Sequence, residues 1–204
     1  PGLNLRGIIK SKDSLVLNYI LKGKDQIREK ESVKYVSDGK RKVLHFKENT
    51  SYAKLPYNEI GYNYTVSFKI NPSGNNGPNA VLFQSKHASV KLKQGNTSNI
   101  GFSHEGKDYD FGVAIPENKW TNVAITGDNN STTLYLNGEL AKKLTREKIP
   151  TGHKNDSIWV MKTLFFPLNT IGDSHNSFKG KMKDLKVFNT ILSKTQIQAI
   201  KEEE

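Results

Sequence analysis

Two stretches of this 204-residue chain combine aromatic rings with hydrogen-bonding side chains. In the first, His104-Glu-Gly-Lys-Asp-Tyr109, a hairpin between two predicted strands carries His104, Glu105, Asp108 and Tyr109. The second, Ser157-Ile-Trp-Val-Met-Lys-Thr-Leu-Phe-Phe166, carries Trp159, Phe165 and Phe166. Sugar rings have apolar C–H faces that stack on aromatic rings, while polar neighbours bind their hydroxyls. This mixture of side chains therefore suits carbohydrate. A plainer account stands beside each stretch. Hairpin tips are polar whether or not they bind anything, and large aromatics usually fill cores. Consecutive Phe165 and Phe166 cannot share one face of a regular strand, so one is expected to be exposed or on a loop. Trp120, which opens a strand, reads as a core or sheet-edge anchor before it reads as a sugar platform.

Catalytic chemistry finds little to work with. Glycoside hydrolysis needs two carboxylates at a fixed separation across the scissile bond. Asp108 and Asp110 lie two apart, but Asp-Tyr-Asp is strand alternation. The histidines His45, His87, His104, His153 and His175 show no H-E-x-x-H or zinc spacing. There is no G-x-S-x-G and no glycine-rich phosphate loop. No catalytic residue is assigned.

The charge balance is strongly basic, +11 at pH 7. Nucleic acid is still a poor fit. Arg6, Arg28, Arg41 and Arg146 are the only arginines, and arginine is the preferred fork for phosphates and base edges. The lysines are spread along the chain, and Asp25, Glu29, Glu31 and Asp38 interrupt the densest stretch, residues 22–47. No apolar run is long enough to span a membrane. The absence of cysteine fits a Gram-positive bacterial surface protein better than a eukaryotic extracellular one. No signal peptide is visible, and Pro1-Gly2-Leu3 reads as the start of an excised fragment.

The elements that would position these residues are strands. Val66, Phe68 and Ile70 alternate with Ser67 and Lys69, and Val90 and Leu92 alternate in the same way. Leu134 and Leu136 point to one face. The alternation predicts half-buried antiparallel strands with one solvated face. Asn137-Gly138 supplies a two-residue hairpin turn. Residues 127–130 and 71–78 are polar loops. One short helix is expected near residues 193–200, with Ser193 as N-cap and Gln196 three residues on. Residues 24–31 read either as a charged helix or as loop. No internal repeat or dividing linker is evident, so residues 1–204 are expected to form one domain, with 1–12 a linker or an added edge strand. The pattern is that of an all-β sandwich or barrel.

Three segments carry a resemblance. Lys119-Trp-Thr-Asn-Val-Ala-Ile-Thr126 with Thr133-Leu-Tyr-Leu-Asn-Gly-Glu139 is similar to the "W-x-x-V-A-x … L-Y-x-N-G" pair of laminin G-like and other concanavalin A-like domains. Ile171-Gly172, Phe178-Lys-Gly-Lys-Met-Lys-Asp-Leu-Lys-Val-Phe-Asn189 and Leu192-Ser193 resemble the closing segment of the same superfamily. Ile100-Gly-Phe-Ser-His-Glu-Gly106 with Tyr109-Asp-Phe111 looks like a segment of such domains attached to bacterial β-N-acetylhexosaminidases and related glycoside hydrolases. The resemblance implies a concanavalin A-like jelly-roll sandwich of two antiparallel sheets with a short C-terminal helix.

It further implies a secreted or cell-wall-attached carbohydrate-binding module. The partners would be glycans carrying Gal, GlcNAc or GalNAc and the catalytic domain of a parent polypeptide. A laminin G-like protein-binding adhesion domain and a structural spacer are the alternatives. The E-x-D-x-x-E strand of hydrolases with this fold is missing. Relatives often hold a calcium ion, and Asp25 and Asp184, with Asp38, Asp128 and Asp173, are the carboxylates for one. Lys183 replaces the family aspartate, and His104 replaces the family arginine of the third segment. The expected sugar contacts are His104, Glu105, Asp108, Tyr109, Trp159 and Phe165.

Overall fold

The computed structural model describes residues 15–19 and 27–202. Alternating apolar residues and tight turns produce two large antiparallel sheets stacked face to face. The first has eight strands. Seven run in the spatial order β13 (Glu139–Thr145), β12 (Ser131–Leu136), β11 (Thr121–Gly127), β6 (Tyr64–Pro72), β17 (Gly180–Phe188), β4 (Arg41–Phe46) and β3 (Val33–Asp38). β1 (Leu15–Tyr19) adds to β17 at residues 185–188, beyond the stretch that pairs with β4. The second sheet has seven strands in the order β10 (Lys107–Ala114), β9 (Asn99–His104), β8 (Ala88–Lys91), β7 (Val81–Gln84), β16 (Thr170–Gly172), β5 (Tyr52–Lys54) and β2 (Glu29–Glu31). A separate hairpin is made by β14 (Glu147–Pro150) and β15 (Ser157–Val160).

The core lies between the large sheets. Val66, Phe68, Ile70, Leu134, Leu185 and Val187 are buried there, with Leu136 packed against them, as the alternation predicts. Rings join the layers. Phe68 of β6 meets Phe83 of β7 at 5.1 Å, and Phe83 meets Phe166 at 5.4 Å. Both are edge contacts, the arrangement ring quadrupoles prefer.

The outer face of the central strands is less open than alternation predicts. Ser67 is buried, and its cross-strand neighbour Ala124 packs with Phe188, Leu192, Ile197 and Ile200. The last two belong to α1 (Lys194–Glu202), which covers that end of the sheet. The helix starts where its capping signal lies. Ser193 N donates to Gln196 Oε1 at 2.8 Å, and Gln196 N donates to Ser193 Oγ at 3.3 Å. The Asn137-Gly138 turn takes φ of 52° and 82°, the paired left-handed conformation of a two-residue hairpin. The charged segment ending at Glu31 is neither helix nor loop over residues 29–31. It forms edge strand β2, because Tyr52–Lys54 offers a free ladder and Glu29 binds Tyr52 and Lys54. The expected linker or edge strand at residues 1–12 and the remainder of that charged segment, residues 24–26, lie outside the described residues.

Candidate functional site

β9 and β10 are joined by Glu105 and Gly106, both at positive φ (49° and 76°). This two-residue turn aims the hairpin at the loop of residues 163–166. His104 makes the contact. Its Nδ1 lies 3.0 Å from the Thr163 carbonyl oxygen, and the residue is only 8% exposed. The two aromatic and polar stretches singled out in the sequence therefore meet. His104 is nevertheless a structural tie between them and faces inward.

The next two residues of the predicted set separate by strand alternation. Tyr109 points to the core side and packs on Phe102 at 5.0 Å; burial holds its phenol above the ordinary value. Asp108 points to the outer face of the seven-stranded sheet. There it accepts a hydrogen bond from Ser103 and lies 3.6 Å from Lys91 Nζ. The Ser103 hydrogen bond, more than the Lys91 charge, holds its carboxyl below the usual range. Asp110 shares that face and accepts from Thr97 Oγ1, Asn99 Nδ2 and the Gly112 amide.

Tyr62 is the residue that the sequence reading missed. Its ring lies 5.0 Å from Phe165, edge on, and 6.1 Å from His104. It sits in a tyrosine-rich stretch with Tyr57 and Tyr64, which was the available signal. Phe165 and Phe166 divide as expected. Phe166 is fully buried against Tyr64 and Phe83, and Phe165 is half-buried beside Tyr62. Burial raises the Tyr62 hydroxyl above its ordinary value; the charge of Glu105 raises it further and that of Arg146 opposes.

Arg146 links this group to Trp159. Its guanidinium sits 4.7 Å from the Trp159 ring, and Lys148 Nζ sits 4.9 Å from the same ring. Arg146 Nη1 donates to the Asn129 carbonyl at 3.4 Å, while its Nε is buried without a hydrogen-bond partner. Trp159 is 50% exposed on β15, paired with Lys148 of β14. Cations over its ring leave less face for a sugar than a bare tryptophan would offer. One end of the sandwich thus combines the rings of Tyr62, Phe165 and Trp159 with the Arg146 donor and the Glu105 acceptor.

Trp120 is half-buried just before β11, with Lys183 Nζ 4.3 Å above its ring. β11 lies inside the eight-stranded sheet, flanked by β12 and β6, so Trp120 stands at the end of an interior strand.

The calcium carboxylates are committed elsewhere. Asp184 sits at a bulge in β17 with φ 55°, 3.6 Å from Arg41 and 3.7 Å from Lys69. Asp38 faces Lys181 and Lys183. Asp128 accepts two backbone N–H bonds in its turn, and Asp173 accepts from Gln84 and Asn176. Among the described residues no three His, Asp or Glu gather where they could hold one metal ion. Asp25 lies outside the described residues.

No helix among the described residues is long and apolar enough to cross a membrane. No curated protein matches the sequence. Among solved structures, domain 4 of AbnA is similar over nearly its whole length. AbnA is a GH43 extracellular arabinanase from Geobacillus stearothermophilus, and that structure is a complex with arabinotriose. It is 18% identical, with TM-score 0.67, over 93% of this chain and 98% of that one. The binding domain of Paraclostridial Mosquitocidal Protein 1 is 15% identical, with TM-score 0.63, over 93% of this chain and 52% of that one. The botulinum neurotoxin serotype D ligand binding domain, in complex with N-acetylneuraminic acid, is 20% identical, with TM-score 0.58, over 94% and 51%. The chain spans about half the length of these two toxin domains. At these identities the likeness concerns the fold. Residues 47–198, about three quarters of the sequence, match the family model of that same fold, and the chain belongs to the concanavalin A-like lectin/glucanases superfamily.

Proposed function

We propose that this domain is a non-catalytic carbohydrate-binding module that holds a secreted glycoside hydrolase on glycans carrying Gal, GlcNAc or GalNAc. Its partners are then the glycan and the catalytic domain of the parent polypeptide, outside the cell. The observation that carries the reading is the meeting of the 104–109 hairpin with residues 163–165 through Tyr62, beside Arg146 and Trp159. Rings to stack on and charged side chains to bind hydroxyls are the elements of a sugar site. The fold neighbours include a domain seen with arabinotriose and one seen with N-acetylneuraminic acid, which favours the same class of ligand. A non-catalytic role is supported by Asp108 and Asp110. They lie on one sheet face, each engaged by neighbouring donors, where hydrolysis needs carboxylates on opposite sides of a scissile bond.

The test is a glycan array followed by titration calorimetry on the hits. A shallow site of this kind should bind with Kd of about 10⁻⁴ M. Phe165→Ala should weaken binding by about 1–3 kcal/mol, the value of one stacked ring, and Glu105→Gln by less. Unchanged affinity in both variants would move the site away from this end. A second reading has one observation in its favour. Ile149 and Ile158 face each other across the β14–β15 hairpin and are 43% and 57% exposed. An array without hits, with a protein partner lost in Ile149→Ser, would support an adhesion role.

A further inference from the structure

At the far end of β6 lies a cleft of about 480 Å³. That is within the ~300–1,000 Å³ of ordinary ligand sites. Its walls are the end of β4 with Lys47 and Glu48, and the loop after β6 with Ser73, Gly74 and Asn75. Lys179 closes the third side. We propose that this cleft binds an acidic saccharide, holding the sugar's carboxylate or sulfate between Lys47 and Lys179.

The walls are fixed in advance. The buried amide of Asn76 donates to the carbonyls of Ser73 at 2.7 Å and Lys179 at 2.8 Å, and accepts from Lys179 N at 2.6 Å. Ser73 N also donates to the Lys179 carbonyl at 2.9 Å. On the other wall the buried Ser51 hydroxyl accepts from Lys47 N at 3.1 Å and Glu48 N at 2.9 Å, and donates to the Ser32 carbonyl. Two buried polar side chains thus hold backbone on both sides, and little ordering remains for a ligand to impose.

The charges are the second argument. Some lysines elsewhere on this molecule are paired, as Lys54 is with Glu29, Lys93 with Glu117, Lys162 with Glu147 and Lys194 with Glu139. Lys47 and Lys179 have no acidic partner among the described residues, although Glu48 lines the same cleft. A concave site with surplus cations focuses its field on an anion. His45 reports that field. Burial, then the charges of Lys47 and Lys181, hold its imidazole below the ordinary value. Ser73 and Asn75 supply the hydroxyl and amide that suit sugar hydroxyls, while the aromatic residues of the lining are Phe46, which is fully buried, and the half-buried His45, so no open ring face is offered to a neutral sugar. A Cβ on Gly74 would meet Glu117 Oε2 at 3.3 Å and Asn118 Nδ2 at 3.4 Å, so those side chains cover that side of the loop.

This site is independent of the one proposed above, since the nine residues of β6 separate them by roughly 30 Å. The test is calorimetry at constant ionic strength with glucuronate and N-acetylglucosamine 6-sulfate, against glucose, N-acetylglucosamine and inorganic sulfate. The acidic sugars should bind at least about tenfold more tightly than the neutral sugars and than sulfate alone. The pair Lys47→Ala and Lys179→Ala should weaken them by about tenfold or more, Lys47→Arg should restore most of the loss, and Glu48→Gln should tighten binding. Absence of acidic-sugar binding at millimolar ligand would overturn the proposal. So would full binding in the double variant, or sulfate binding as tightly as the sulfated sugar. Phe165→Ala should leave these affinities unchanged; a loss there would place the acidic sugar at the aromatic end.

Discussion

The two ends of β6 are built by different physics. At its start, Tyr62 and Tyr64 pack against Phe165 and Phe166, so that end is held by apolar contact with the core. At its finish, Ser73 and the following loop are held by hydrogen bonds from buried Asn76, with Ser51 doing the same on the facing wall. Packing at the first end leaves half-buried rings pointing outward, where a neutral sugar face would stack. Hydrogen bonding at the second leaves unpaired lysines around a cleft, suited to an anion. One sandwich therefore offers two surfaces of different chemistry, and each should respond to a different perturbation.

The sharpest test compares two neighbours. Phe166→Ala removes a fully buried ring and should cost about 3–5 kcal/mol in denaturant unfolding. Phe165→Ala should cost far less stability while losing glycan binding. Equal losses of stability would mean that the aromatic end is core alone. At the other end, Asn76→Ala removes three hydrogen bonds from a buried position and leaves backbone groups without partners. A loss of about 1–3 kcal/mol is expected in the same assay. It should abolish acidic-sugar binding and spare binding at the rings. Loss of stability without loss of acidic-sugar binding would show that the cleft does not depend on its amide.

Salt separates the ends with a smaller effect. Raising ionic strength from 0.1 M to 1 M shortens the screening length from about 10 Å to about 3 Å. Affinity for an acidic saccharide should fall several-fold, and affinity for a neutral glycan should hardly change. Parallel losses for both ligands would erase the distinction.

The smallest effect concerns pH. His45 has a folded pKa below its ordinary 6.5, so the unfolded chain takes up the proton more readily than the folded one. Its contribution to stability is complete above pH 6.5 and declines as pH falls toward the lowered folded value. Lys34 lies opposite it on β3; burial and then the charges of Lys47 and Lys181 disfavour the charge of His45. Wild-type protein should therefore lose slightly more stability than His45→Gln between pH 7.5 and 5.5, by thermal unfolding. Bound glucuronate should shrink that difference, because an anion favours the imidazolium. An identical pH profile in the variant would remove His45 as a reporter of the cleft.

Local rules of the chain settle much of this protein. Period-two alternation places Val66, Phe68 and Ile70 on the core face, since successive strand residues must point opposite ways. Asn137-Gly138 and the pair Ser193 and Gln196 mark a hairpin turn and a helix start because their chemistry is satisfied within a few residues. Phe165 and Phe166 divide into one half-buried and one buried ring, as expected for two consecutive aromatics, although they lie on a loop and not on a strand.

What tertiary structure decided is which surface each face meets. His104 looks like a sugar ligand on an isolated hairpin, but the carbonyl of Thr163, 59 residues away, turns it into a buried tie. Tyr62 gains its role only where folding brings Phe165 beside it. Asp184 carries the right charge for a cation, yet the sheet sets it between Arg41 and Lys69. The cleft of Lys47 and Lys179 depends on Asn76 joining backbone 103 residues apart. Such contacts leave no periodic trace, because sequence spacing constrains direction along a strand but not which distant segment lies across from it.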